Sequence, residues 1–164
     1  MIIGNQPDFF LQIDIVENPD DGYWYLGICN FWIDDLPYPG NGTNITLNST
    51  LPLLVGDYED SILKYNYDGS NLPLEEINFE DENNYDDETI KHHLCSRTSG
   101  EFFDYGLETK FEIFGDTLRF FYSQNEGPWQ LKEIPLAYYD SIMKKLDLLI
   151  QDGFKPLLDS RFGE

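Results

Sequence analysis

Three side chains past the middle of the chain have the right types to do chemistry together: His92, His93 and Cys95. Imidazoles and thiolates ligate zinc, and a thiol beside an imidazole is the pairing behind cysteine nucleophiles. The spacing argues against both uses. Adjacent histidines point to opposite faces of a strand and diverge by about 100° on a helix. The chain has only two histidines and two cysteines, and Cys29 lies far off in sequence, so four zinc ligands cannot be assembled locally. His92 and Cys95 would meet at i, i+3 on a helix, but no motif supplies an oxyanion hole or a third group to orient the imidazole. The expectation is no bound metal, no cofactor and no catalysis that depends on Cys95.

Carboxylates are the next candidates. The run Asp81-Glu82-Asn83-Asn84-Tyr85-Asp86 offers hard oxygen ligands. An EF-hand loop starting at Asp81 would need glycine at its sixth position and glutamate at its twelfth. Asp86 and His92 stand there instead. There is no G-x-G-x-x-G, no P-loop and no G-x-S-x-G. With 31 acidic residues in 164, neighbouring carboxylates are too frequent to mark an acid–base pair. The chain reads as a protein that is not an enzyme.

The elements around these residues are clearer than the residues themselves. Tyr23–Ile33, YWYLGICNFWI, is apolar on both alternating faces and carries no charge. Such a run favours a strand in the interior of a sheet, with cover on both sides. Phe9–Glu17 alternates, with Phe9, Leu11, Ile13 and Ile15 inward, and Asn18–Gly22 turns it antiparallel onto Tyr23–Ile33. Thr43–Leu47 alternates as a third strand, and the sequons at Asn41, Asn44 and Asn48 read simply as polar turn-rich sequence. Ser49–Leu63 suggests a short helix with Pro52 near its start, interrupted at Gly56. Glu108–Phe114 and Thr117–Ser123 form a hairpin through Gly115-Asp116, which suits a type II′ turn. Trp129–Ile134 is a further strand. Pro135–Gln151 is an amphipathic helix, with Leu136, Tyr139, Ile142, Met143, Leu146, Leu149 and Ile150 on one stripe and Gly153 closing it.

These elements predict one α+β domain over residues 1–164. An antiparallel sheet of about five or six strands carries the C-terminal helix on one face, with a short helix or loop insert in the middle. The N-terminus lacks a basic region and a continuous apolar run, and no segment approaches the roughly 18 apolar residues of a membrane span. A cytoplasmic location is expected.

Charge then narrows the partner. The net charge is −21, and ten acids precede the first basic residue, Lys64. Such a surface repels nucleic acid and anionic membrane and attracts basic proteins. Leu74–Glu88 concentrates eight carboxylates in fifteen residues. Mutual repulsion disfavours a compact form, so an exposed loop or short helix is expected there. The predicted partner-binding residues are Glu75, Glu76, Glu80, Asp81, Glu82, Tyr85, Asp86, Asp87 and Glu88. Ile77, Phe79 and Tyr85 are offered as apolar anchors, with Asp57, Glu59 and Asp60 as a second acidic element.

Met1–Glu17 (MIIGNQPDFFLQIDIVE), Gly22–Gly40 (GYWYLGICNFWIDDLPYPG) and Gly106–Ser123 (GLETKFEIFGDTLRFFYS) together resemble the immunity-42 family of bacterial immunity proteins. That family accompanies contact-dependent inhibition and other polymorphic toxins. The resemblance implies a small cytoplasmic protein that binds and neutralises a cognate toxin C-terminal domain, and it carries over no catalytic residues. The acidic surface independently suits a basic partner, such as a nuclease that must hold phosphate backbones. The alternative reading is an acidic adaptor, or a nucleic-acid-mimicking inhibitor of another basic protein.

Overall fold

A computed structural model describes residues 1–17, 24–40, 42–64, 70–80, 94–96 and 100–162. The α+β class is as expected from the sequence, and among the described residues the strands divide between two antiparallel sheets. The first sheet contains β1 (Ile2–Gln6), β2 (Phe9–Glu17), β3 (Leu26–Ile33), β4 (Leu36–Tyr38) and β5 (Ile45–Thr46). Its order is β1-β2-β3-β4, with β5 also pairing β3. The second sheet, in order, is β6 (Cys95–Ser96), β7 (Leu107–Phe114), β8 (Thr117–Gln124) and β9 (Gln130–Pro135). The strand count exceeds five or six because β1, β4, β5 and β6 are short pieces without a full alternating pattern of their own.

As expected, β3 is interior and pairs antiparallel with β2, in a register that sets Phe10 opposite Trp32 and Ile13 opposite Cys29. Its cover differs from the expectation. Cys29, Phe31 and Ile33 enter the core, whereas Leu26, Ile28 and Trp32 on the other side remain half-buried. Gly27 is obligatory in β3. A Cβ there would lie 2.3 Å from the Asp14 carbonyl oxygen and 2.6 Å from Leu47 Cδ1.

The segment after β5 also differs from its sequence reading. Helix α1 (Leu47–Lys64) runs unbroken for 18 residues through Pro52 and Gly56. Leu47, Leu51, Leu54, Val55 and Tyr58 are all buried, a stripe at 3/4 spacing whose burial outweighs one exposed glycine. Thr43–Leu47 therefore contributes only two strand residues before the helix begins. The α1 N-terminus is closed from a distance by Glu101 of α2 (Gly100–Asp104). Glu101 Oε2 accepts the Thr46 N–H at 2.6 Å, and Oε1 accepts the Ser49 hydroxyl at 3.1 Å. A carboxylate at this end also complements the helix dipole.

Helix α3 (Leu136–Gln151) buries Tyr139, Ile142, Met143, Leu146 and Leu149, with Leu136 and Ile150 packed partly against the same core. It ends at Gly153 with φ +59°, as its sequence indicates. Both sheets, α1, α3 and the closing helix α4 (Lys155–Phe162) contribute to one core, in which Phe9, Phe31, Phe120 and Tyr139 touch edge to face or tilted. Tyr138 ties α3 to the first hairpin: its hydroxyl donates to the Phe9 carbonyl at 2.7 Å and accepts the Asn5 and Gln6 N–H groups. No described helix is long and apolar enough to cross a membrane.

Candidate partner-binding surface

The second sheet has two buried faces. Leu107, Phe111, Ile113, Leu118, Phe120 and Tyr122 supply the main core. On the other face, Phe121, Leu131 and Trp129 pack with Leu74, Ile77, Phe79 and Leu94. Residues 70–80, the approach to the acidic run, therefore lie folded against the sheet. Phe79 stacks on Trp129 at 4.3 Å between centroids and meets Phe121 edge-on at 5.3 Å.

Basic residues of the sheet hold this segment down. Lys110 donates to the Phe79 carbonyl at 2.5 Å, and its Nζ lies 5.2 Å from the centre of the Trp129 ring. Arg119 pairs with Glu112, its cross-strand neighbour, and donates to the Leu72 carbonyl at 2.6 Å. The second oxygen of Glu112 accepts the Ser70 N–H at 3.0 Å and the Ser70 hydroxyl at 3.1 Å. Glu112 and Arg119 are thus paired and hydrogen-bonded, the condition under which a low-dielectric site tolerates charge, while Lys110 is held by a backbone carbonyl and a ring face. Among the described residues, Arg119 Nε alone of this guanidinium is buried without a hydrogen-bond partner.

The predicted contact residues separate accordingly. Glu75 and Glu76, in a 3₁₀ turn at Leu74–Glu76, and Glu80 are exposed. Asp81, Glu82, Tyr85, Asp86, Asp87 and Glu88 lie outside the described residues, as do His92 and His93. Ile77 and Phe79 are not surface anchors, because both are spent on the second core. Glu59 and Asp60 are exposed on α1, with Asp57 half-buried. Cys95 lies in strand β6, paired with Phe111, so the helical i, i+3 arrangement with His92 does not extend to it; its side chain lies outside the described residues. Burial pushes the Cys29 thiol up to about 12, which leaves no thiolate at neutral pH.

A third base is also turned inward. Lys132 on β9 reaches the first sheet's turns, 2.6 Å from Asp34 and 2.9 Å from Asp8. Burial pulls its pKa down, but the two carboxylates outweigh that and leave it raised. The Lys132 hydrogen bond in turn lowers Asp8 below its ordinary 3.8.

Shallow concavities elsewhere have acidic rims. One of about 330 Å³ lies between α1 and α3, floored by Val55, Tyr58, Ile62 and Met143, with Glu59, Asp140 and Asp147 around it. Its one base, Lys144, is bonded to Asp140 at 2.6 Å.

Sequence reasoning missed the outward face of the first sheet. Phe10 and Trp32 stack there with centroids 5.5 Å apart and planes 11° from parallel. The indole N–H donates to Gln12 Oε1 at 2.8 Å, and Gln12 in turn donates to Asp14. The available signal was an apolar residue, Phe10, at an outward position of an alternating strand, beside the second apolar face of Tyr23–Ile33.

No curated protein and no solved structure matches the chain. Residues 1–148 match the family model described as Immunity protein 42, a span that takes in both sheets, α1, α2 and nearly all of α3. The chain belongs to the Immunity protein 42 family, whose description makes it an immunity protein directed against a toxin.

Proposed function

We propose that this protein binds a cognate toxin C-terminal domain in the cytoplasm and neutralises it stoichiometrically, without cofactor or catalysis. The family supplies the class of partner, and charge supplies its chemistry. Of ten basic residues, Lys110, Arg119 and Lys132 are turned inward, so the outward balance is more acidic than the net −21 alone conveys. A strongly basic toxin domain, of the kind a nuclease needs to hold phosphates, is the partner such a surface attracts. The carboxylates of Glu75–Glu88 are the proposed steering element. Three of them, Glu75, Glu76 and Glu80, stand exposed on a segment anchored by Lys110 and Arg119.

The test is expression of the cognate toxin domain in cells with and without the protein. Survival only in its presence supports the reading, and equal killing in both cultures refutes it. Converting Glu80, Asp81, Glu82, Asp86 and Asp87 to the corresponding amides should slow association and flatten its dependence on salt. Unchanged association at low salt would move the steering surface elsewhere.

A further inference from the structure

We infer that the open face of the first sheet, centred on the Phe10–Trp32 stack, is the apolar docking surface for the cationic toxin domain. This rests on the function proposed above and adds what the acidic segment lacks. Charge governs the rate of approach, whereas residence depends on buried aromatic and aliphatic anchors. In the 70–80 segment the apolar side chains are already consumed by Phe121, Trp129 and Leu131. Among the described residues, free apolar anchors therefore lie outside this segment.

The outward side of β1, β2 and β3 supplies them. Ile2 is 63 % exposed and Val16 43 %, while Phe10, Ile28 and Trp32 are half-buried. The register aligns them, with Phe10 opposite Trp32, Asp14 opposite Ile28, and Gln12 opposite Ile2. Trp32 is also held in place, stacked on Phe10 and hydrogen-bonded to Gln12. An indole fixed before binding loses little rotamer freedom when a partner covers it. Tryptophan is among the residues that most often dominate interface energetics.

Charge decides which partner fits. No Lys or Arg occurs among the first 63 residues, so the strands of this sheet carry carboxylates and no basic side chain. A second copy of the chain would bring an identical face with the exposed Glu17 and no basic side chain to meet it, Asp14 being already paired with the Met1 ammonium at 2.7 Å. Two chains of net −21 would also repel one another. Nucleic acid and anionic lipid are disfavoured for the same reason. A cationic protein surface with an apolar centre is complementary to it.

The test measures binding kinetics of the purified toxin domain with the full chain, the Trp32→Ala and Ile28→Arg variants, and a Glu75/Glu76/Glu80→Gln control. Circular dichroism confirms folding of each. Dissociation from the two face variants should quicken by roughly 30-fold or more, the loss expected of a hot spot, with association changed far less. The glutamine control should do the reverse. Folded face variants that release toxin at the wild-type rate overturn the docking surface while leaving the immunity reading intact. A wild-type protein that neither binds nor protects overturns both. Wild-type dimerisation that Ile28→Arg abolishes, with toxin binding unchanged, assigns the face to self-association and overturns the inference. Should the variants fail to fold, oxidative footprinting of the wild-type complex decides: protection of Trp32 on toxin binding supports the surface, and equal oxidation free and bound refutes it.

Discussion

Lys110 Nζ donates to the carbonyl oxygen of Phe79 at 2.5 Å, across 31 residues of sequence. This places a cation beneath the approach to the most acidic stretch of the chain. The same ammonium lies over the Trp129 ring, on which Phe79 stacks. The base therefore anchors the segment through its backbone and leaves Glu75, Glu76 and Glu80 outward. Lys110→Met keeps the aliphatic stem and removes the donor. It should cost about 1.5–3 kcal/mol, the range for a hydrogen bond to a charged group, measured by denaturant unfolding. Proteolysis near residues 70–80 should accelerate in step.

Glu112 and Arg119 present a harsher version of the same dependence. Their side chains are 0 % and 4 % exposed, so removing one strands the other in the interior. Glu112→Ala or Arg119→Ala should destabilise by about 3–5 kcal/mol. Glu112→Met combined with Arg119→Met should recover much of that loss, because an apolar pair has no charge to desolvate. A double variant as unstable as the sum of the singles would contradict the account.

The pH dependence of the Lys132 cluster follows from its two shifts. Asp8 has a folded pKa below 3.8, so its contribution is present above that value and disappears as pH falls through the lowered one. Lys132 is raised above 10.5, so its contribution is present below 10.5 and disappears as pH rises through the raised value. Asp8→Asn should therefore lower Tm at pH 7 and lower it by less at about pH 3. Equal effects at both pH values would show that the loss is not electrostatic.

Core packing gives the simplest stability tests. Leu146 is fully buried on α3, and Leu146→Ala should cost about 2–5 kcal/mol. Gly27→Ala forces a methyl group against the Asp14 carbonyl and Leu47. Backbone cannot retreat as a flexible side chain can, so β2 and β3 must separate, and Tm should fall. An unchanged Tm in either variant would count against the packing described.

Strict repeats made strand β2, helix α3 and the hairpin around Gly115 legible, and the uncharged, two-faced apolar run did the same for β3. Gly115 adopts φ +59°, as the first position of its predicted turn requires. Helix α1 was hidden by Pro52 and Gly56, whose local preferences lose to the burial of Leu51, Leu54, Val55 and Tyr58. The division into two sheets was not legible, since it depends on long-range contacts such as Phe9 with Phe120. The acidic segment shows the same limit. Its charge was plain, but the burial of Ile77 and Phe79 depends on Trp129 and Phe121, some 50 residues later. The outward aromatic pair was visible in composition, yet only strand register sets Phe10 opposite Trp32.

The most direct measurement of the central claim is a titration of the toxin domain's own activity with the purified protein. A binding inhibitor should reduce that activity linearly, reaching a plateau near zero at a fixed molar ratio of protein to toxin. Full toxin activity at excess protein would contradict immunity by binding, and complete inactivation by a small fraction of an equivalent would point to catalysis instead.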